Sequence, residues 1–262
     1  MYDFGFVRPT TLADAVKAMA AEDAQALGGG QTLIPTLKSR LASPALLVSL
    51  NGIAEIKGIC RNDAGHLCIG GGTTHAAVAA GGGDYPALAA LAGGIGDPAV
   101  RNRGTIGGSL ANNDPAACYP AAVLASGAVV VTNTRQIKAE DYFQGMFTTA
   151  LEPGEIIIEV KFPVPQKANY QKFLQPASRF AMVGVFVAKY ADGVRVAVTG
   201  ASNGGVFRWK AAEKALSADF SAAAIGGLSA SADNLIADLH GSAVYRAHLI
   251  KVMTGRAVTA AG

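Results

Sequence analysis

The sequence predicts an α+β fold: a mixed α/β region to about residue 165, then a smaller region of antiparallel sheet with helices. Three observations carry this reading. Short apolar strand-like segments alternate with helical periods through the amino-terminal third. Strand-like runs dominate further on, at Ala128–Thr132, Glu155–Phe162, Met182–Lys189 and Val194–Thr199. Between the second and third of these runs Pro163-Val164-Pro165 stops both periods and marks a boundary.

Residues 10–21 predict a first helix, which Thr10 or Thr11 caps and in which Leu12, Val16 and Met19 fall near one face. The apolar segment Ala24 to Leu27 runs into Gly28-Gly29-Gly30-Gln31-Thr32. LIPTLKSRLASP follows as a short helix with Pro35 in its first turn. Ala45 to Leu50 reads as a buried strand, and His66 to Gly70 leads into a second cluster, Gly70-Gly71-Gly72-Thr73-Thr74, with a helix from about 74 to 80. After a helix over Tyr85–Leu91 comes the densest polar and glycine-rich stretch, residues 93–120, which shows no clear helix or strand period. A connection that long inside a compact domain is usually functional. Beyond the boundary, helical patterns return at 209–216 and 243–257.

Composition narrows the function classes. With 262 residues the chain suits about two domains, and 50% hydrophobic content excludes disorder. Lys+Arg 22 against Asp+Glu 19 leaves +3 with no long basic run, so nucleic acid is not indicated. Cys60, Cys68 and Cys118 form neither a disulfide framework nor a CxxC pair, and His66, His75, His240 and His248 show no metal-ligand spacing. MYDFGFVRPT carries no signal pattern, and the most apolar stretch, Pro120–Val131, is too short to cross a bilayer. These features lead us to expect a cytoplasmic protein of a reducing compartment.

Glycine is the outlier: 32 of 262 residues is about 12%, against a usual ~7%. The clusters at 28–32 and 104–109 each set glycines beside hydroxyl residues (Thr32; Thr105 and Ser109), the composition of a backbone concavity that binds a pyrophosphate. Arg101 and Arg103 flank the second cluster as candidate phosphate or carboxylate partners. Familiar fingerprints fit poorly. Residues 94–99 formally match GxGxxG/A but do not follow a strand, and no GxxxxGK[ST] is present. Gly200-Ala201-Ser202-Asn203-Gly204 matches GxSxG after a strand, and Asp219, Asp233 or Asp238 and His240 or His248 follow in triad order. A serine hydrolase using Ser202 is therefore the alternative reading, although the preceding strands do not alternate with helices as that fold requires.

LGGGQTLIPTLKSRLASPALLVSLNGI (27–53), IGDPAVRNRGTIGGSLANNDPAACYPA (95–121), YFQGMFTTALEPGEIIIEVKFP (142–163), PASRFAMVGVF (176–186) and AVYRAHLIKVMTGRAV (243–258) together resemble the flavoprotein, or medium, subunits of the molybdenum hydroxylases, in particular those of the aerobic carbon monoxide dehydrogenase type. The likeness spans nearly the whole chain. It implies an FAD-binding domain over 1–165, of the PCMH/vanillyl-alcohol-oxidase-like type, with subdomains of about 1–55 and 56–165, then a C-terminal flavoprotein domain over 166–262. It also implies that Leu27, Gly28, Gly29, Gly30, Gln31, Thr32 and Leu33 contact FAD from the first loop, and Gly104, Thr105, Ile106, Gly107, Gly108, Ser109 and Asn112 from the second. Ile95 would lie against the isoalloxazine, Ile157 near the adenine end and Gln175 near the ring edge.

Two departures stand out. Cys118 occupies the place where relatives carry an Asp that bonds the ribityl chain, which weakens that bond or passes it to water or Asp114, and Ser109 stands where many have Asn. Loss of FAD from a retained fold is a further reading, for which Cys118 is the only hint. By resemblance, this chain is the electron-transfer subunit of an oxidoreductase. On that resemblance it would pass electrons from the [2Fe–2S] clusters of a small partner subunit, fed by the molybdenum cofactor of a large one, to an external acceptor. A dimer of heterotrimers, a cytoplasmic place that extends to the inner membrane face, no span of the membrane, and no catalytic residue or metal on this chain are the accompanying expectations.

Overall fold

The computed structural model describes residues 1–176 and 178–262. The chain opens with β1 (Gly5–Val7), α1 (Leu12–Met19), β2 (Ala24–Leu27), α2 (Leu33–Lys38) and β3 (Leu46–Ser49). The three strands form a parallel sheet in the order β1-β3-β2. Thr11 caps α1, its hydroxyl accepting from the Asp14 N–H at 3.1 Å. Ala15, Val48, Ile53, Ile56 and Ile156 make the small core of this part, so one of its members comes from a distant segment.

The middle of the chain comprises β4 (Ile59–Arg61), β5 (Leu67–Gly70), α3 (His75–Gly81), α4 (Pro86–Gly93), α5 (Pro98–Arg101), α6 (Ile106–Asn112), α7 (Tyr119–Ser126), β6 (Val129–Thr132), β7 (Gln136–Lys138), α8 (Ala139–Tyr142), β8 (Phe143–Gly145), β9 (Thr148–Thr149) and β10 (Ile157–Phe162). Its five-stranded sheet runs β4-β5-β10-β6-β7 with every neighbour antiparallel. Residues 93–120, which sequence periodicity leaves without helices, contain α5, α6 and the start of α7. The first two are a turn or two long, too short to show a period, and are set by their caps: Asp97 receives the Val100 N–H and Thr105 the Gly108 N–H. The apolar stretch from Pro120 divides between α7, buried on nearly every side, and β6.

The last part carries β11 (Lys167–Leu174), β12 (Ala181–Tyr190), β13 (Gly193–Thr199), β14 (Phe207–Arg208), α9 (Lys210–Ala218) and α10 (Ala243–Ala261), its strands antiparallel in sequence order. Strand β11 had no sequence signal, because KANYQKFL is mostly polar and sits at the sheet edge. Strand β12 is buried on both faces. Val183, Val185 and Val187 pack with Ile250 and Met253 of α10, while Phe186 and Ala188 join Tyr85, Val123 and Phe162 in the central core. The sheet is thus sandwiched between α9 and α10 on one side and the α4–α7 layer on the other, the α+β arrangement that the sequence predicts. No helix among the described residues is long and apolar enough to cross a membrane.

Candidate cofactor-binding cleft

The first glycine loop is the crossover from β2 to α2. Backbone N–H groups of Gly28, Gly29, Gly30, Gln31 and Thr32 donate no hydrogen bond among the described residues. A run of free donors in a concave turn favours an anion. The loop is held from outside, since the Asn51 side-chain amide donates to the Gly28 carbonyl at 3.1 Å. It also lies flush on the second loop: a β-carbon at Gly29 would fall 2.0 Å from the Arg103 carbonyl oxygen, so only glycine permits this approach.

The second loop works differently from the first. Most of its N–H groups are already spent, Ile106 donating to Thr73 (3.1 Å), Gly107 to Gly71 (2.8 Å) and Gly108 to the Thr105 hydroxyl (3.1 Å). What it presents is side chains, the Ser109 hydroxyl and the Asn112 amide, on the open side of α6. Gly71 bridges this helix to β10, taking the Gly107 N–H and donating to Ile158 at 2.8 Å, which accounts for part of the 70–72 cluster that sequence leaves unassigned.

Both loops face one cleft of about 790 Å³, a volume in the usual range for a cofactor site. All the cofactor contacts that the resemblance implies line it except Ile106 and Gln175, with Ile95, Asp114, Cys118 and Ile157 among those that do, whereas the candidate phosphate partners Arg101 and Arg103 do not. Ile106 is fully buried in the central core. Gln175 belongs to the turn between β11 and β12, where its N–H donates to Phe180 (2.8 Å) and its carbonyl accepts from Arg179 (2.7 Å). Within the 176–186 motif, Ala177 lies outside the described residues.

Asn51, His75 and Lys172 also line the cleft, and sequence reasoning gave them no cofactor role. Burial first, then the Arg101 charge, pushes His75 down to about 4, so its imidazole is neutral near pH 7. Its ring packs against Tyr119 with centroids 5.3 Å apart. The Lys172 ammonium donates to the carbonyls of Gly94 (2.7 Å) and Arg179 (3.0 Å) and lies 3.6 Å from Cys118 Sγ. The cation that an Asp at 118 would have faced is therefore present. Arg101 spends its guanidinium on the carbonyls of Ile95 (3.0 Å) and Gly96 (3.1 Å), bracing that turn from within the chain. Nothing in the sequence around Asn51 or Lys172 signals a shared cleft, because long-range folding brings them there.

The structure corrects the hydrolase alternative. Ser202 follows β13, but the next helix, α9, starts only at Lys210, and no strand-to-sharp-turn-to-helix elbow forms. Its hydroxyl is buried, accepting from the Gly204 N–H (3.0 Å) and donating to the Asn234 carbonyl (3.3 Å). It is a turn residue. The GxGxxG/A-like residues 94–99 follow α4 rather than a strand.

A cleft walled by a free-donor glycine loop and the side chains of a capped helix defines a binding protein for an anionic, phosphate-bearing ligand rather than a hydrolase. Residues 2–165 match the family of FAD-binding domains in molybdopterin dehydrogenases, and the chain belongs to that family. It is 32% identical to the carbon monoxide dehydrogenase medium chain of Afipia carboxidovorans, over 97% of this chain and 95% of that one. Identity to the nicotine 6-hydroxylase medium subunit of Paenarthrobacter nicotinovorans is 33%, over 98% and 96%. Among solved structures it is similar to quinoline 2-oxidoreductase from Pseudomonas putida 86, with a TM-score of 0.89 and 27% identity over 99% of this chain and 97% of that chain.

Proposed function

We propose that the cleft holds FAD through the residues lining it and that the chain is the flavoprotein subunit of a molybdenum-containing dehydrogenase or hydroxylase. The observation that carries this is the run of free N–H groups over 28–32, set against Ser109 and Asn112 across one cleft. The donors suit a diphosphate, and the flush packing at Gly29 keeps the two loops at a fixed separation before the ligand arrives. Bound FAD supplies the electron-transfer chemistry, which belongs to the cofactor. The protein's part is to bind, orient and shield. Ile95 and Ile157 give the cleft apolar wall, Lys172 places a positive charge beside Cys118, and the neutral His75 backs the loop junction without adding charge.

The names of the relatives, medium chain and medium subunit, support a multi-subunit assembly. On that reading the chain takes electrons from the clusters of a small iron–sulfur subunit, supplied by a large molybdenum subunit, in a cytoplasmic dimer of heterotrimers. The same reading divides the chain at about residue 165, with FAD bound by the part before it.

Purified protein is expected to be yellow and to release one FAD per chain on denaturation, with iron–sulfur and molybdenum subunits co-purifying. Colourless protein that fails to take up added FAD would overturn the reading.

A further inference from the structure

The face of the five-stranded sheet turned away from the central core carries a second cluster of chemistry. Cys60 on the edge strand β4 is the register partner of Cys68 on β5, while on β10 Lys161 pairs with Cys68 and Glu159 with Gly70. Side chains alternate along strands, so Cys60, Cys68 and Glu159 share one face, opposite the buried Ile69 and Val160. Their two sulfurs and a carboxylate oxygen all lie within 4.8 Å of one another. Two thiolates and a carboxylate form a donor set for a borderline-soft tetrahedral cation, and the exposure of Cys60 leaves room for water as fourth ligand.

We propose that Cys60, Cys68 and Glu159 bind a thiophilic divalent cation of the Zn²⁺ class as a clasp across β4, β5 and β10. The cation would replace the thiol protons, and its charge would offset the mutual repulsion of three anionic donors. Because the ligands bind the cation as thiolates, binding releases thiol protons and weakens as pH falls. Lys161, its ammonium 3.8 Å from Glu159, is the competing cation on this face.

The clasp has a structural consequence for the cleft. Gly58, just before β4, donates to the Thr73 hydroxyl (2.9 Å) and accepts from Gly70 (3.0 Å), so β4 buttresses the glycine segment on which α6 rests. Securing the edge strand therefore secures the floor of the second loop.

The test is titration of the reduced full chain with Cd²⁺, read by thiolate-to-metal absorption, and with Zn²⁺ in competition with a chromophoric chelator. One band saturating at one equivalent is expected. Cys60→Ser and Glu159→Gln should each weaken Zn²⁺ binding by about tenfold or more, while Cys118→Ser leaves it unchanged. Both substituted positions are solvent-accessible, and circular dichroism checks that the variants keep the fold. Absence of the band, its persistence in Cys60→Ser, or its loss in Cys118→Ser overturns the proposal. None of these results depends on bound FAD, so the metal site and the flavin site stand or fall separately.

Discussion

Gly29 and Arg103 lie about 75 residues apart in sequence yet touch backbone to backbone. The contact cannot relax by a side-chain rotation, because the atom opposing a β-carbon at 29 is a carbonyl oxygen at 2.0 Å. Gly29→Ala should push the two loops apart and weaken FAD binding by more than about tenfold, or ~1.4 kcal/mol, in a flavin-fluorescence titration. An unchanged affinity would show that the loop spacing does not set the grip. The glycine excess was legible in the sequence, and so was its concentration at 28–30 and 104–108. The division of labour was not. Whether an N–H is free or already spent depends on Gly71 and Thr73, which the fold brings beside α6.

At the scale of elements, the turn between β6 and β7 is fixed to the segment before β10 by Glu155. Its carboxylate accepts from the Arg135 guanidinium (2.9 and 3.0 Å), from the hydroxyls of Thr132 (2.9 Å) and Thr134 (2.5 Å), and from the Glu152 N–H (2.7 Å). The Arg135 bonds first, then those from the threonines and Glu152, lower its pKa from the ordinary 4.5 to about 2. Between these two values the unfolded chain binds more protons than the folded one. Stability from this group is therefore complete above about pH 5 and lost as pH falls toward 2. Urea unfolding across this range should show the decline in the native chain and a flatter profile in Glu155→Gln, which lacks the titrating group. An identical slope in the variant would assign the acid sensitivity elsewhere. The short helices α5 and α6 escaped sequence detection because caps rather than periodicity define them. Cys60 and Cys68 escaped as a pair because an antiparallel register, not a CxxC spacing, sets them side by side.

Over the whole molecule, the parts share cores rather than merely abut. Phe186 of β12 meets Tyr85 edge-on at 6.0 Å, and the Gly200 N–H donates to Pro115 at 2.6 Å, tying the C-terminal sheet to the segment between Asp114 and Cys118 that lines the cleft. The Thr199 hydroxyl lies within hydrogen-bond distance of both Pro115 (2.9 Å) and Ala117 (2.7 Å). Such interlocking predicts one cooperative transition. Trp209, the single tryptophan, sits in the core of the C-terminal sheet, whereas flavin release reports on the cleft. Denaturant curves followed by Trp209 fluorescence and by flavin release should share a midpoint. Well-separated midpoints would show that the C-terminal part unfolds on its own.

The sequence by itself determined the α+β class, the two glycine loops and the family resemblance, because tight turns and close backbone approaches demand glycine wherever they occur. Only the tertiary structure decided which loop keeps its N–H groups free, that Ser202 is a turn residue, that Lys172 stands beside Cys118, and that two cysteines and a glutamate share one sheet face. Each of these depends on contacts between segments far apart in the chain, and composition and local spacing carry no record of such contacts.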